Sequence, residues 1–236
     1  MAALLAFDTA TDRLHIGLAA GDEVWLHESE GGARASASLI PSLRALLSDA
    51  GMAWPDLDAI AFGRGPGAFT GLRTACAAAQ GLALGANKPV LAIDTQMAVA
   101  EDARARAAVV DVWVVMDARM DEIYATHFRW AEDRWQTIVA PALYAPASLH
   151  AQWRAQPPRA LAGSALAAFG PRLATGDAQL VSDAQPRGRA LLACARASWS
   201  RGGAMDPARA QPFYVRDRVA LTTAEREACK PGEAAG

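Results

Sequence analysis

Residues 4–25, LLAFDTATDRLHIGLAAGDEVW, decide the fold, because their pattern returns in looser form at residues 113–128, WVVMDARMDEIYATHF. In each copy a short apolar strand stops at an aspartate, Asp8 or Asp117, and an alternating strand follows after a brief turn. A third extended segment comes next in both copies. We interpret the recurrence as an internal duplication that builds two α/β lobes. The alternative is a chance alignment of two hydrophobic strands around one aspartate.

Further strands and helices are predicted between and after the two copies. Apolar residues at helical spacing predict a helix over residues 38–50, with Ser38 as its N-cap and Gly51 as its stop. A second helix is expected from Thr70, as its cap, to about Leu84. The remaining predicted elements are strands at 57–62 and 90–93 and a helix at about 189–200.

The bulk composition restricts the class of protein. The chain has 236 residues, 52% hydrophobic and 20% charged, which is enough for two small domains with real cores. The three cysteines lack the spacing of metal sites, and no apolar run is long enough for a signal peptide or a membrane span. We therefore expect a cytoplasmic protein without a membrane partner. The net charge of −2 indicates that any RNA is engaged mainly through another subunit.

The glycine-rich segment at residues 62–85, FGRGPGAFTGLRTACAAAQGLALG, is the most distinctive part of the chain. It fits a GxGxxA dinucleotide pattern only weakly, because Pro66 sits inside the turn and the helix is expected to begin later. It is not a Walker loop, since no lysine follows the glycines. We expect the turn to serve backbone geometry.

The helix after this turn has a face of small residues. We expect Ala75, Ala79 and Leu82 to be exposed along that face, where another helix could approach closely. The alternative is that the face packs within its own lobe. Arg73, predicted to lie in the first turn, opposes the helix dipole and should have an anionic partner, either a carboxylate of this chain or a group brought by a ligand or subunit.

Several blocks, in order, closely resemble the bacterial TsaB family, formerly called YeaZ. Beside the glycine-rich segment they are LLAFDTAT, SLIPSLRALLSDAG, DLDAIAFG, KPVLAIDT, DARMDEIYATHF and PFYVRDRVA. The resemblance implies an actin-like, Hsp70-like and sugar-kinase-like α/β fold of two duplicated ribonuclease-H-like lobes. It also implies a role in making threonylcarbamoyladenosine in tRNA, as a partner of the transferase TsaD, with the ATPase TsaE joining the assembly.

The resemblance further implies that both predicted helices of the first lobe form the partner interface. The expected interface residues are Leu39, Leu43, Leu46, Phe69, Leu72, Arg73, Ala75, Ala79 and Leu82. A homodimer through the same face is the alternative when the partner is absent. Family members often have His-Ser-Glu where this chain has Ala35, Ser36 and Ala37, so that end of the interface should differ.

The expected domains are a partner-binding lobe at residues 1–104 completed by 213–222, a second lobe at 105–212, and a flexible tail at 223–236. We expect no catalytic residue and no metal, because none of the four histidines forms the pair, one helical turn apart, that the TsaD pattern requires. Asp8 and Thr9 are at most weak contacts for ATP or ADP, since bulky residues follow Asp117. The prediction is a non-catalytic scaffold, and the alternative is an ATP-dependent kinase or hydrolase.

Overall fold

The computed structural model describes residues 2–216, which carry two five-stranded sheets. The first part comprises β1 (Leu4–Asp8), β2 (Arg13–Ala20), β3 (Glu23–Glu30), α1 (Ala35–Asp49), β4 (Ala59–Gly65), α2 (Phe69–Ala86), β5 (Val90–Asp94) and α3 (Thr95–Ala107). The second comprises β6 (Asp111–Asp117), β7 (Ile123–Ala131), β8 (Arg134–Tyr144), α4 (Pro146–Ala155), β9 (Ala160–Ala162), α5 (Ala165–Phe169), β10 (Gln179–Val181) and α6 (Gly188–Ser200). The predicted tail at 223–236 lies outside the described residues.

The two sheets share one strand order. The first is ordered β3-β2-β1-β4-β5, and the second, taken from its other edge, is β8-β7-β6-β9-β10. Strand β1 is antiparallel to β2 and parallel to β4. In the same way, β6 is antiparallel to β7 and parallel to β9. This is the ribonuclease-H-like order, and two such lobes make the actin-like and sugar-kinase-like fold. The predicted fold class and its duplication are confirmed.

Helix α6 corrects the predicted boundary of the second lobe. Residues 105–212 were expected to form that lobe, yet α6 packs on the first sheet, where Leu191 and Ala195 are buried with Leu4 and Ala6 of β1. The physical reason is the open face of the first sheet, whose opposite face is covered by α1 and α2. Helix α6 therefore packs with the first lobe, and residues 217–222 of the predicted completing segment 213–222 lie outside the described residues.

Both predicted helix starts are wrong by about one turn or less. Helix α1 begins at Ala35, and the Ser38 hydroxyl, inside the helix, donates to the carbonyl of Arg34 at 3.1 Å. Helix α2 begins at Phe69 with Ala68 as its N-cap, so Thr70 is not the cap. Neither N-cap residue makes a side-chain hydrogen bond to its helix, so a polar cap sets neither start.

Helix α3, which the sequence did not predict, connects the lobes. The Thr95 hydroxyl donates to the Asp8 carboxylate of the first lobe at 2.7 Å. The Gln96 amide donates to the carbonyl of Tyr124 at 3.1 Å and accepts from the Thr126 hydroxyl at 2.5 Å, both in the second lobe. Buried polar contacts therefore fix α3 to both sheets. Among the described residues, no helix is long and apolar enough to cross a membrane.

Candidate partner interface and inter-lobe cleft

The glycine-rich turn packs tightly against the β1–β2 turn. A Cβ on Gly63 would overlap the Asp8 carboxylate, and one on Gly71 would overlap the carbonyl oxygen of Thr9. The Thr9 hydroxyl also donates to the Gly71 carbonyl at 2.7 Å. These glycines are required because another part of the chain approaches them closely. Residues 8–10 occupy the space beside these glycines that a phosphate would need.

Asp8 lies in the interior beneath this turn. Its carboxylate has no exposed surface and accepts hydrogen bonds from the Ala10 amide at 2.6 Å and the Thr95 hydroxyl at 2.7 Å. Burial raises the pKa of Asp8 to about 6, although both hydrogen bonds act in the opposite direction. Thr9 is buried to the same extent. Nucleotide contact by Asp8 and Thr9 stays a prediction, and both side chains are already engaged within the chain.

A cleft of about 740 Å³ separates the two lobes. The β1–β2 turn lines it on one side with Asp12, and the β6–β7 turn lines the other with Asp117. Asp117 is paired with Arg119 at 3.1 Å. Arg119 and Met120 both adopt positive φ, at 60° and 53°, and Met120 is 73% exposed. The turn thus presents bulky side chains where a phosphate-binding turn places glycines.

Most residues predicted for the partner interface lie in the core of the first lobe. Burial is complete or nearly so for Leu39, Leu43, Leu46, Leu72, Ala75 and Ala79. The expectation that Ala75 and Ala79 are exposed is therefore wrong, because this side of α2 rests on β4 and α1. Leu82 is half-buried against the same core. These side chains therefore hold α1 and α2 in the first lobe and are not available for contact with a partner.

A different stripe of α2 faces solvent. It runs through Arg73, Ala77, Gly81 and Leu84, of which Leu84 is 77% exposed. A Cβ on Gly81 would meet no atom within 4 Å. The exposed side chains of α1 are also mostly small, namely Ser36, Ala37, Pro41, Arg44, Ala45, Ser48 and Asp49, of which only Arg44 and Asp49 are charged. The sequence offers no signal that identifies this stripe, because small residues also recur at helical spacing on the buried side of α2, at Ala75 and Ala79.

Arg73 has aromatic neighbours. Its guanidinium lies 3.9 Å from the centroid of the Phe69 ring, and its Nε donates to the Tyr214 hydroxyl at 3.2 Å. Among the described residues no carboxylate is within ion-pair distance of it. Because α2 begins at Phe69, Arg73 falls just beyond the first turn, where the helix dipole is weaker than we expected.

Known proteins share this sequence and fold. The family model for TsaD, tRNA N6-adenosine threonylcarbamoyltransferase, matches residues 26–182. The tRNA threonylcarbamoyladenosine biosynthesis protein TsaB of Escherichia coli strain K12 is 29% identical over 222 residues, covering 92% of this chain and 96% of that protein. The structure of YeaZ from Pseudomonas aeruginosa is 32% identical with a TM-score of 0.82, covering 91% of this chain and 100% of that one. The chain belongs to the TsaB (YeaZ) family. TsaB of Haemophilus influenzae is 38% identical over 122 residues, about half of each chain.

The matched family model is named for the transferase, which raises the question of a metal site in this TsaB-family chain. His15, His27 and His127 lie on strands β2, β3 and β7, and His150 lies on α4. Within residues 2–216, no group of three or more His, Cys, Asp or Glu side chains is placed to hold a metal ion.

Proposed function

We propose that this chain is a non-catalytic subunit in the synthesis of threonylcarbamoyladenosine in tRNA. It binds a TsaD-like transferase through the exposed faces of α1 and α2 and stabilises the competent state of that subunit by binding it preferentially. A TsaE-like ATPase joins through the complex, and tRNA is engaged mainly through the transferase.

The observation that carries this proposal is the exposed stripe of α2. A glycine inside a helix costs about 1 kcal/mol relative to alanine, and close docking of another helix at that position offsets the cost. Leu84 is 77% exposed, and the space around Gly81 is open. Ala77 and Gly81 let a partner helix approach closely, while Leu84 supplies an apolar contact at the end of the stripe.

The burial of Asp8 supports a role without catalysis. In a nucleotide-dependent enzyme of this fold, the aspartate after the first strand faces the phosphates and their metal ion. Here Asp8 is fully buried and held by Thr95, and the nearby glycines accommodate residues 8–10. The scaffold function requires none of these groups to reach a ligand.

Binding of the purified full chain to the TsaD of the same genome tests the proposal. We expect a stable complex that Ala77→Arg abolishes, because a long charged side chain would separate the two helices. Ala151→Arg is the matched control, since Ala151 is also an exposed helical alanine but lies on α4 of the second lobe. Absence of a complex with the native chain, or an Ala77→Arg variant that binds normally, would refute the scaffold role.

The second candidate is an ATP-dependent kinase or hydrolase, and the size of the cleft is what favours it. That function predicts ATP turnover by the purified chain and loss of turnover in Asp8→Asn, a variant that should keep both hydrogen bonds of Asp8 and the fold. Measurements of molecular mass with and without TsaD separate the third possibility, a homodimer through the same face, from the heterodimer.

A further inference from the structure

Residues 210–216, here called the C-terminal strap, run along α2 and cross the inter-lobe cleft. At one end the Gln80 amide donates to the Ala210 carbonyl at 3.1 Å. In the middle, the Phe213 amide donates to the Arg64 carbonyl at 2.7 Å. At the other end Arg216 donates to the Ala118 carbonyl at 2.9 Å and pairs with Glu122 at 2.8 Å in the second lobe. The strap is thus fixed to both lobes.

The glycine-rich segment contacts the strap directly, through Arg64 and Gly65. Gly65 has φ of +113°, and a Cβ there would lie 2.8 Å from the Phe213 carbonyl oxygen. The Arg64 guanidinium lies 5.6 Å from the centroid of the Phe213 ring. Part of the motif singled out in the sequence therefore serves to hold the strap against α2.

The strap places Tyr214 at the N-terminal end of the exposed stripe. The Tyr214 ring is 5.3 Å from that of Phe69, its hydroxyl accepts a hydrogen bond from Arg73, and the residue is 39% exposed. Arg73 uses only its Nε in that bond, so the two terminal nitrogens of its guanidinium have no carboxylate among the described residues. Tyrosine and arginine are two of the residue types that are enriched at the energetic centres of protein interfaces.

The two helices alone are too small for a stable interface. Each exposes a strip about 25 Å long and roughly 10 Å wide, so together they provide on the order of 500 Å². A stable heterodimer buries about 800 Å² on each partner. The strap is continuous with the α2 stripe and supplies additional area at the end where Arg73 lies.

We propose that the C-terminal strap is the third element of the partner surface. The cluster of Phe69, Arg73 and Tyr214 receives a carboxylate-bearing segment of the TsaD-like subunit. The partner carboxylate accepts hydrogen bonds from the terminal nitrogens of Arg73, while its apolar flank packs on the two rings. This inference rests on the proposed function.

The test is calorimetric titration of TsaD with full-length variants. Arg73→Glu and Tyr214→Ala should each weaken binding about tenfold or more, as expected for residues at an energetic centre. Tyr214→Phe keeps the ring and should stay within about threefold. Arg154→Glu makes the same charge change on the exposed side of α4 and should bind like the native chain. Rising salt should weaken native binding more than binding by Arg73→Glu.

The two hypotheses fail in different ways. If the native chain binds TsaD and Ala77→Arg does not, while Arg73→Glu and Tyr214→Ala bind normally, the strap inference is overturned and the proposed function stands. If the native chain fails to bind, the proposed function itself is overturned. Arg73 is exposed, so Arg73→Glu should keep the native thermal transition even if Tyr214→Ala lowers it.

Discussion

Replacing Asp8 with asparagine should stabilise this chain near neutral pH. The Asp8 carboxyl is fully buried, and its pKa is raised to about 6 because burial disfavours the charged form. The asparagine side chain would have nearly the same shape and no charge. Its carbonyl can accept the Ala10 amide, and its amide can donate to the Thr95 oxygen.

The magnitude follows from proton linkage. The folded chain holds the Asp8 proton up to about pH 6, whereas the unfolded chain releases it near the ordinary aspartate pKa of 3.8. Stability from this group is therefore complete below the unfolded pKa and is lost as pH rises through the folded pKa. A rise of about two pKa units corresponds to about 3 kcal/mol. Asp8→Asn should avoid that loss.

Chemical denaturation followed by tryptophan fluorescence measures the effect. We expect the difference in unfolding free energy between Asp8→Asn and the native chain to rise by about 2 to 3 kcal/mol from pH 4 to pH 7. Other titrating groups are common to both chains and largely cancel in this difference. Asp8→Ala is the control, because it leaves Ala10 and Thr95 without their partner and should destabilise at both pH values. A difference that is the same at both pH values would show that Asp8 is not a buried carboxyl of raised pKa.

Three further predictions concern stability. Gly71→Ala should prevent normal folding because its Cβ would meet the Thr9 carbonyl, whereas Gly81→Ala, in the same helix with open space around it, should stabilise by about 0.5 to 1 kcal/mol; thermal unfolding of the pair compares them. Burial lowers the pKa of His15 to about 4, so stability should fall as pH drops from about 6.5 to 4, and His15→Gln should flatten that part of the pH profile. Gln96→Leu leaves the Thr126 hydroxyl and the Tyr124 carbonyl without their partner and should cost about 1 to 3 kcal/mol by denaturant titration.

The duplicated topology could be predicted because it is visible in the local pattern of each lobe. Apolar strands that end at Asp8 and Asp117, followed by alternating strands, need no long-range information to be recognised. Helix α3 could not be found in this way. It is buried on nearly all sides, including at Gln96, Glu101 and Asp102, so its sequence lacks an apolar stripe. Its burial depends on polar partners from both lobes, which only the tertiary structure brings together.

The orientation of α2 shows where sequence reasoning stops and what the correction changes. The helix is small on two sides, with Ala75 and Ala79 on one and Ala77 and Gly81 on the other, so hydrophobic periodicity cannot distinguish core from surface. The neighbours β4 and α1 decide, and they cover Ala75 and Ala79. An arginine at Ala79 would therefore disrupt the fold and reveal nothing specific about binding. An arginine at Ala77 leaves the core intact, so loss of the complex in that variant can be assigned to the interface.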